Sequence, residues 1–391
     1  MRNKLKRIHA IALRELKSYS RRPLFLFCMV IAPVLCAVFF VTLMDSGLPV
    51  KLPAGIVDED NTSISRTIVR TIDALEETDF TVAYPTFADA RKAMQRGEIY
   101  SFFYIPKGTT QKALSHRQPK ISFYTNEAFF VPGSLLMKDF RTASELSGLA
   151  LTRETLYAKG ATEKQAMEII QPIVIETHPI NNPTLDYSVY LNNILVPGIL
   201  ILLIMLSTSY TIGMEWKYTT QKQLYAMSGN SPAIALLGKL VPQTILFTLI
   251  FVFYDVYFYR IAGYPCNTPL WHMMLLGFLT VLASQAFGVF FFGIFLGQMR
   301  TAMCLCSLWG ILSFSLAGFT YPTTAMDPVL QYLAWLFPLR HYYLIYVNQA
   351  LNGYPVSYVL PSVLALLCFI ILPVAVLPRY RAAFLKYKYQ E

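Results

Sequence analysis

The sequence predicts a membrane protein, an all-α transmembrane domain of six spans with an extracytoplasmic α/β domain inserted after the first. Three observations predict it. Hydrophobic residues fill 55% of the 391 positions and charged ones only 14%, with a mean hydropathy of +0.44; an ordinary soluble domain carries about a quarter charged residues. Six apolar stretches are long enough to cross a bilayer. The charge is also divided: positions 45–186 hold 15 of the 33 basic and 18 of the 23 acidic residues, leaving 18 against 5 elsewhere. The formal net charge of +10 therefore belongs to the membrane part, where it sets orientation. No basic patch with interleaved aromatics marks a nucleic-acid partner.

Residues 1–23 carry eight Lys and Arg against Glu15 alone, and Leu5, Ile8, Ala12, Leu16 and Tyr19 fall at helical spacing. That pattern predicts a cytoplasmic amphipathic helix lying on lipid. Residues 24–44 form the first span, with no cleavage signal after them. Residues 45–187 read as the inserted domain. Strands are expected at 54–57, 80–84, 99–105 and 121–124. Helix faces are marked by Ile64, Ile68, Ile72 and Leu75, by Phe87, Ala90 and Met94, and by Leu136, Phe140, Ala143, Leu146 and Ala150.

A five-span block, 188–378, follows, with spans near 189–212, 239–260, 270–296, 301–319 and 356–377. Its first two spans flank a polar elbow, 214–238, running from Met214-Glu215-Trp216-Lys217 through Thr219, Thr220 and Gln223 to a Ser228–Pro232 break. A surface helix there is what a soluble partner could push on, with its apolar side on the membrane and Glu215 either paired to an arginine of that partner or simply ending the span in solvent. Between the last two spans the Pro-rich segment 321–354 has an apolar middle, 329–337, too short to cross; it is expected to be re-entrant or interfacial on the outer side. A basic cytoplasmic tail, 379–391, holds Arg379, Arg381, Lys386 and Lys388. Six spans put both termini on one side, and the short inner loops hold more basic residues than the outer ones, as orientation requires.

Sites of chemistry are absent from the pattern. Gly238-Lys239 has Ala233 where a phosphate loop needs its first glycine, and Leu240 follows. The cysteines, Cys28, Cys36, Cys266, Cys304, Cys306 and Cys368, form no disulfide framework or zinc spacing. His116 and His178 stand far apart. Asp255 should lie near the outer surface, bonded to water or tyrosines, and Gln285 should be helix-packing glue. No catalytic, metal or cofactor site is expected.

In order and spacing the chain resembles the type-2 ABC exporter permeases with a large extracytoplasmic domain. Arg14-Glu15 and Arg21-Arg22-Pro23 resemble that family's elbow helix. Gly55-Ile56-Val57-Asp58, Gly97-Glu98-Ile99 and Ile105-Pro106 are similar to its outer-domain strands. Asn182-Pro183, Tyr187-Ser188 and Val196-Pro197-Gly198 resemble the start of its second span. The run from Glu215 to Lys239 and Pro242 resembles its coupling segment, with Thr219-Thr220 where Gly-Thr is common. Gly318-Phe319, Pro322, Met326, Pro328, Gln331, Phe337-Pro338 and Tyr342-Tyr343 resemble its signature before the last span. The resemblance implies coupling to an ATPase through Glu215, Lys217, Thr219, Thr220, Gln223 and Lys239. It implies a cytoplasmic ABC ATPase that carries the ATP and Mg, and a second permease subunit, identical or paralogous. It also implies a place in the bacterial inner membrane and outward movement of a lipophilic or envelope-related substrate, with a periplasmic adaptor protein as a further candidate partner. The alternative is a membrane-anchored sensor or envelope scaffold working through the inserted domain.

Overall fold

The computed structural model describes residues 2–20, 22–115, 117, 119–171 and 178–386, and divides into two units, Met1–Gly47 with Pro179–Glu391 and Leu48–His178. In chain order it runs from helix α1 (Arg2–Ser20) to α2 (Pro23–Leu43). Then come β1 (Leu52–Asp58), α3 (Ser63–Asp73), β2 (Thr78–Ala83), α4 (Phe87–Gln95), β3 (Ser101–Ile105) and α5 (Thr109–Leu114). β4 (Ser122–Thr125), α6 (Phe130–Ala158) and α7 (Glu163–Ile170) complete the smaller unit. The chain continues as α8 (Ser188–Lys217), α9 (Gln221–Met227), α10 (Pro232–Ile261), α11 (Leu270–Ile294), α12 (Met299–Leu316), α13 (Pro328–Ala334), α14 (Pro338–Tyr346) and α15 (Val356–Lys386).

The smaller unit starts later and ends earlier than the expected 45–187. Its sheet has the order β2-β1-β3-β4, with β1 parallel to both neighbours and β4 antiparallel at the edge. Alternation along β1 puts Ile56 on one face with Ile72, Leu136 and Phe140, and Val57 on the other with Ala90, Ala93 and Phe102. Helices are thus needed on both faces. Thr62 starts α3 by accepting from the Ser65 amide at 3.1 Å while the Ser65 hydroxyl takes the Thr62 amide at 2.9 Å, a reciprocal cap. Thr86 caps α4 in the same way from one side. The short helices α5 and α7 have no counterpart in the pattern read from sequence, and His116 lies outside the described residues.

In the larger unit, α2, α8, α10, α11, α12 and α15 are each long and apolar enough to cross a membrane, so this is a multi-pass membrane protein. α8 and α11 are the most enclosed and α2 the least. Proline at the first turn opens α2, α10, α13 and α14, where its missing N–H costs nothing. Gly288 lets α11 close on α8, because a Cβ there would stand 2.8 Å from Thr208 Cβ and 2.9 Å from the Met205 carbonyl oxygen. Ser209 donates to the Gly288 carbonyl at 3.0 Å across the same contact. Gln285 accepts from Thr244 at 2.7 Å, joining α11 to α10. Gly47, at φ +71°, backs onto Asp186, with 3.4 Å between its would-be Cβ and that carboxyl. The chain therefore leaves and rejoins this unit at neighbouring points.

Two expectations need correction. The polar elbow is shorter than 214–238, because α8 continues to Lys217 and α10 begins at Pro232, leaving only α9 between them. Within 329–337, Val329 and Tyr332 of α13 are exposed while Ala334 and Phe337 are buried, and α14 with the helical turn after it buries Leu339, Tyr342, Tyr346 and Ala350. Asp255 is not at a wet surface; it is 3% exposed, and its Oδ2 has no hydrogen-bond partner among the described residues.

Candidate functional site

Three helix segments far apart in sequence meet where the polar elbow was expected. α1 lies against α10 because Gly238 has no side chain, and a Cβ there would stand 2.9 Å from Ile11 Cβ and 3.2 Å from the Ile8 carbonyl oxygen. Gly229, at φ +70°, closes α9 and passes against the Arg7 guanidinium, where any Cβ would collide. These two glycines bring Arg14 and Glu15 of α1 beside the last turn of α8 and the second turn of α10.

The result is a buried ionic network. Lys239 Nζ donates to Glu15 Oε2 at 2.7 Å and to Glu215 Oε1 at 2.6 Å. Arg14 donates to Glu215 Oε1 and lies 3.1 Å from Glu15 Oε1. Thr220 Oγ1 completes the Glu215 carboxylate by donating to Oε2 at 2.5 Å. Side-chain exposure is 2% for Lys239, 3% for Glu15 and 5% for Glu215, against 26% for Arg14. Two cations and two anions balance, which is the condition for taking four charges out of water.

The tip below this network is exposed and anchored from inside. Lys217, Thr219, Lys222 and Gln223 face outward. Leu224 and Tyr225 of α9 are buried, not resting on lipid as expected: the Tyr225 ring stacks on Phe384 of α15 at 5.1 Å, and Phe384 also packs on Trp216 at 5.2 Å. The basic tail therefore begins as a packed helix through Tyr380, Ala383 and Phe384, and Lys388 lies outside the described residues.

Of the residues singled out from sequence, Arg14, Glu15, Glu215, Thr220 and Lys239 come together. Arg22 lies 4.7 Å over the Tyr218 ring, Gln223 lines a cavity together with the network residues, and Arg21 lies outside the described residues. The partner arginine expected for Glu215 is the chain's own Arg14, joined by Lys239. Pro322, Met326, Pro328, Gln331 and Pro338 sit elsewhere, around α13 and the start of α14, where Gln331 donates to the Met326 carbonyl at 2.9 Å. Missed altogether were Tyr380 and Phe384, although their i, i+4 spacing was visible.

Thr219 has φ +55°, a left-handed conformation that a β-branched residue adopts at a cost. Glycine removes that cost. Thr219→Gly is expected to raise the thermal stability of the detergent-solubilised chain by about 1 kcal/mol, and an unchanged melting curve would show that the strain is not stored there.

A family model described as ABC-2 family transporter protein matches residues 23–377. No curated protein matches the chain.

Proposed function

The chain belongs to the ABC-2 family of transporter proteins, and on that footing we propose that it is the membrane-spanning subunit of an ATP-driven exporter, powered by a separate cytoplasmic ABC ATPase that holds the ATP and Mg. The observation that carries the coupling part is the Arg14–Glu15–Glu215–Lys239 network directly behind the exposed tip 217–223. Charges held at hydrogen-bond distance away from water resist separation more strongly than the same pairs in solvent. A displacement of α9 by the ATPase is therefore passed to α1, α8 and α10 together instead of being absorbed by bending at the α8 end. Lys217, Thr219, Lys222 and Gln223 are the contact surface in this reading. Glu215, Thr220, Lys239, Arg14 and Glu15 transmit, and Arg22 steadies the tip through Tyr218.

The same reading places both termini in the cytoplasm of a bacterial inner membrane and the 48–178 unit outside, supported by the basic bias of the short inner loops. A second permease subunit completes the pathway, and the substrate is lipophilic or envelope-related. Tagged chain drawn from its native membrane is expected to bring with it a polypeptide that carries a phosphate loop and hydrolyses ATP. Lys222→Glu combined with Gln223→Glu should lower that recovery roughly tenfold, about 1.4 kcal/mol, while leaving the chain's own melting temperature in place. Undiminished recovery would place the ATPase on another surface.

A further inference from the structure

The buried face of α6 carries one residue out of character. Leu136, Phe140 and Ala143 recur at helical spacing and pack on the sheet, and Asp139 falls on the same face with 5% exposure. It lies against the turn that opens β2, where Glu77 is 6% exposed and Thr78 fully buried. The two segments meet in two rungs. Thr78 Oγ1 donates to Asp139 Oδ2 at 2.9 Å, and Lys138 Nζ donates to Glu77 Oε1 at 3.0 Å. Between those rungs the Glu77 and Asp139 carboxyl groups hydrogen-bond to each other. Ionised carboxylates can only accept, so that bond requires a proton.

We propose that Glu77 and Asp139 share one proton and form an acid-sensitive clasp, which fixes α6 to the sheet while the proton is held and loosens when it leaves. Burial and the bond to Glu77 hold the Asp139 carboxyl up at about 6, while the bond to Asp139 and the Lys138 ammonium hold Glu77 low. Asp139 is thus protonated more readily folded than unfolded. Its share of stability is complete below the unfolded carboxyl value, about 4, and is lost as pH rises through about 6. Glu77 loses its share only as pH falls through its own lowered value, so above about pH 5 the Asp139 effect decides. Charged residues on the surrounding elements are Lys138 and Arg141 of α6, Glu76 beside the pair, Lys51 before β1, and Arg70 and Asp73 of α3. Arg141 is taken by Glu145, and Lys138 is the one bonded to the pair among the described residues. With its side chain 54% exposed, Lys138 offsets only part of the repulsion once both carboxyls ionise. Its ammonium also disfavours a metal ion in the proton's place. The clasp belongs to the smaller unit alone, so it stands whichever side of the membrane that unit occupies and whether or not an ATPase docks at the tip.

Hydrogen exchange of the full detergent-solubilised chain, with each rate divided by the intrinsic rate at that pH, tests this. Amides of residues 135–145 are expected to lose protection roughly tenfold between pH 5 and pH 7.5, while α4 on the opposite face of the sheet keeps its own. Asp139→Asn imitates the protonated acid and should hold the protection at both pH values. Lys138→Gln, at an exposed position, should move the midpoint of the loss upward by roughly half a unit, because both carboxyls then ionise less readily. Wild-type protection that is flat with pH would overturn the proposal, as would a loss equally steep in Asp139→Asn or in α4. An unmoved midpoint in Lys138→Gln would overturn it too, and so would a profile altered by EDTA, by showing a metal ion where the proton is placed.

Discussion

Lys239→Met is expected to destabilise the chain by about 3–5 kcal/mol, the usual cost of removing one partner from a buried ionic cluster. Methionine keeps the length of the side chain and fills its space, so packing changes little. What is lost is the ammonium 2.7 Å from Glu15 and 2.6 Å from Glu215. Two carboxylates, 3% and 5% exposed, then face each other with Arg14 as the one cation among the described residues still paired to them. Their repulsion should push α1 off α10, which thermal unfolding reads as a lower midpoint and limited proteolysis as early cleavage within 2–20. Glu15→Gln in the same chain removes the surplus charge and is expected to recover at least about 1–2 kcal/mol, a coupling that independent sites do not show. A single variant that unfolds like wild type would mean that water reaches the cluster.

Gly288→Leu is expected to abolish the folded protein, and Gly288→Ala to cost about 2 kcal/mol. The methyl of alanine alone would sit 2.9 Å from the backbone oxygen of Met205. That atom cannot rotate away, so α8 and α11 must part. In a membrane, where close van der Waals contact drives helix association, parting is the main loss. Gly148 of α6 is the control, since a Cβ there meets nothing within 4 Å. Gly148→Ala should stabilise by about 0.4–1 kcal/mol through the unfolded chain. Comparable melting of the two alanine variants would refute the tight-contact account.

The six crossing helices were legible because each is announced by a local run of apolar residues, and the sheet because β1 and β3 are short apolar runs bounded by turns. The network was not. Glu215 and the polar residues after it look like surface, and nothing local says that Arg14, 201 positions away, supplies the opposite charge. Polarity misled in the same way at 338–351. The segment 321–354 was read through its apolar middle, 329–337, as re-entrant or interfacial, and nothing in Arg340, His341 or Gln349 announced a buried stretch. In the structure His341 Nε2 lies 2.8 Å from the Trp335 carbonyl oxygen, and Gln349 donates to the Tyr354 carbonyl at 2.8 Å. Polar side chains that find such partners can be buried at little cost. The buried Phe384 went unseen because four cations drew attention to the tail.

Gly47 and Asp186 stand side by side where the chain leaves and rejoins the larger unit. A 48–178 segment whose two ends share one doorway can be lengthened, replaced or lost while the spacing of the surrounding helices stays the same. The bundle has no comparable latitude, since a single methyl at Gly288 is already too much. Over evolutionary time the two units of one gene should therefore diverge at different speeds, with the bundle conserving a shape and the insert free to acquire new business.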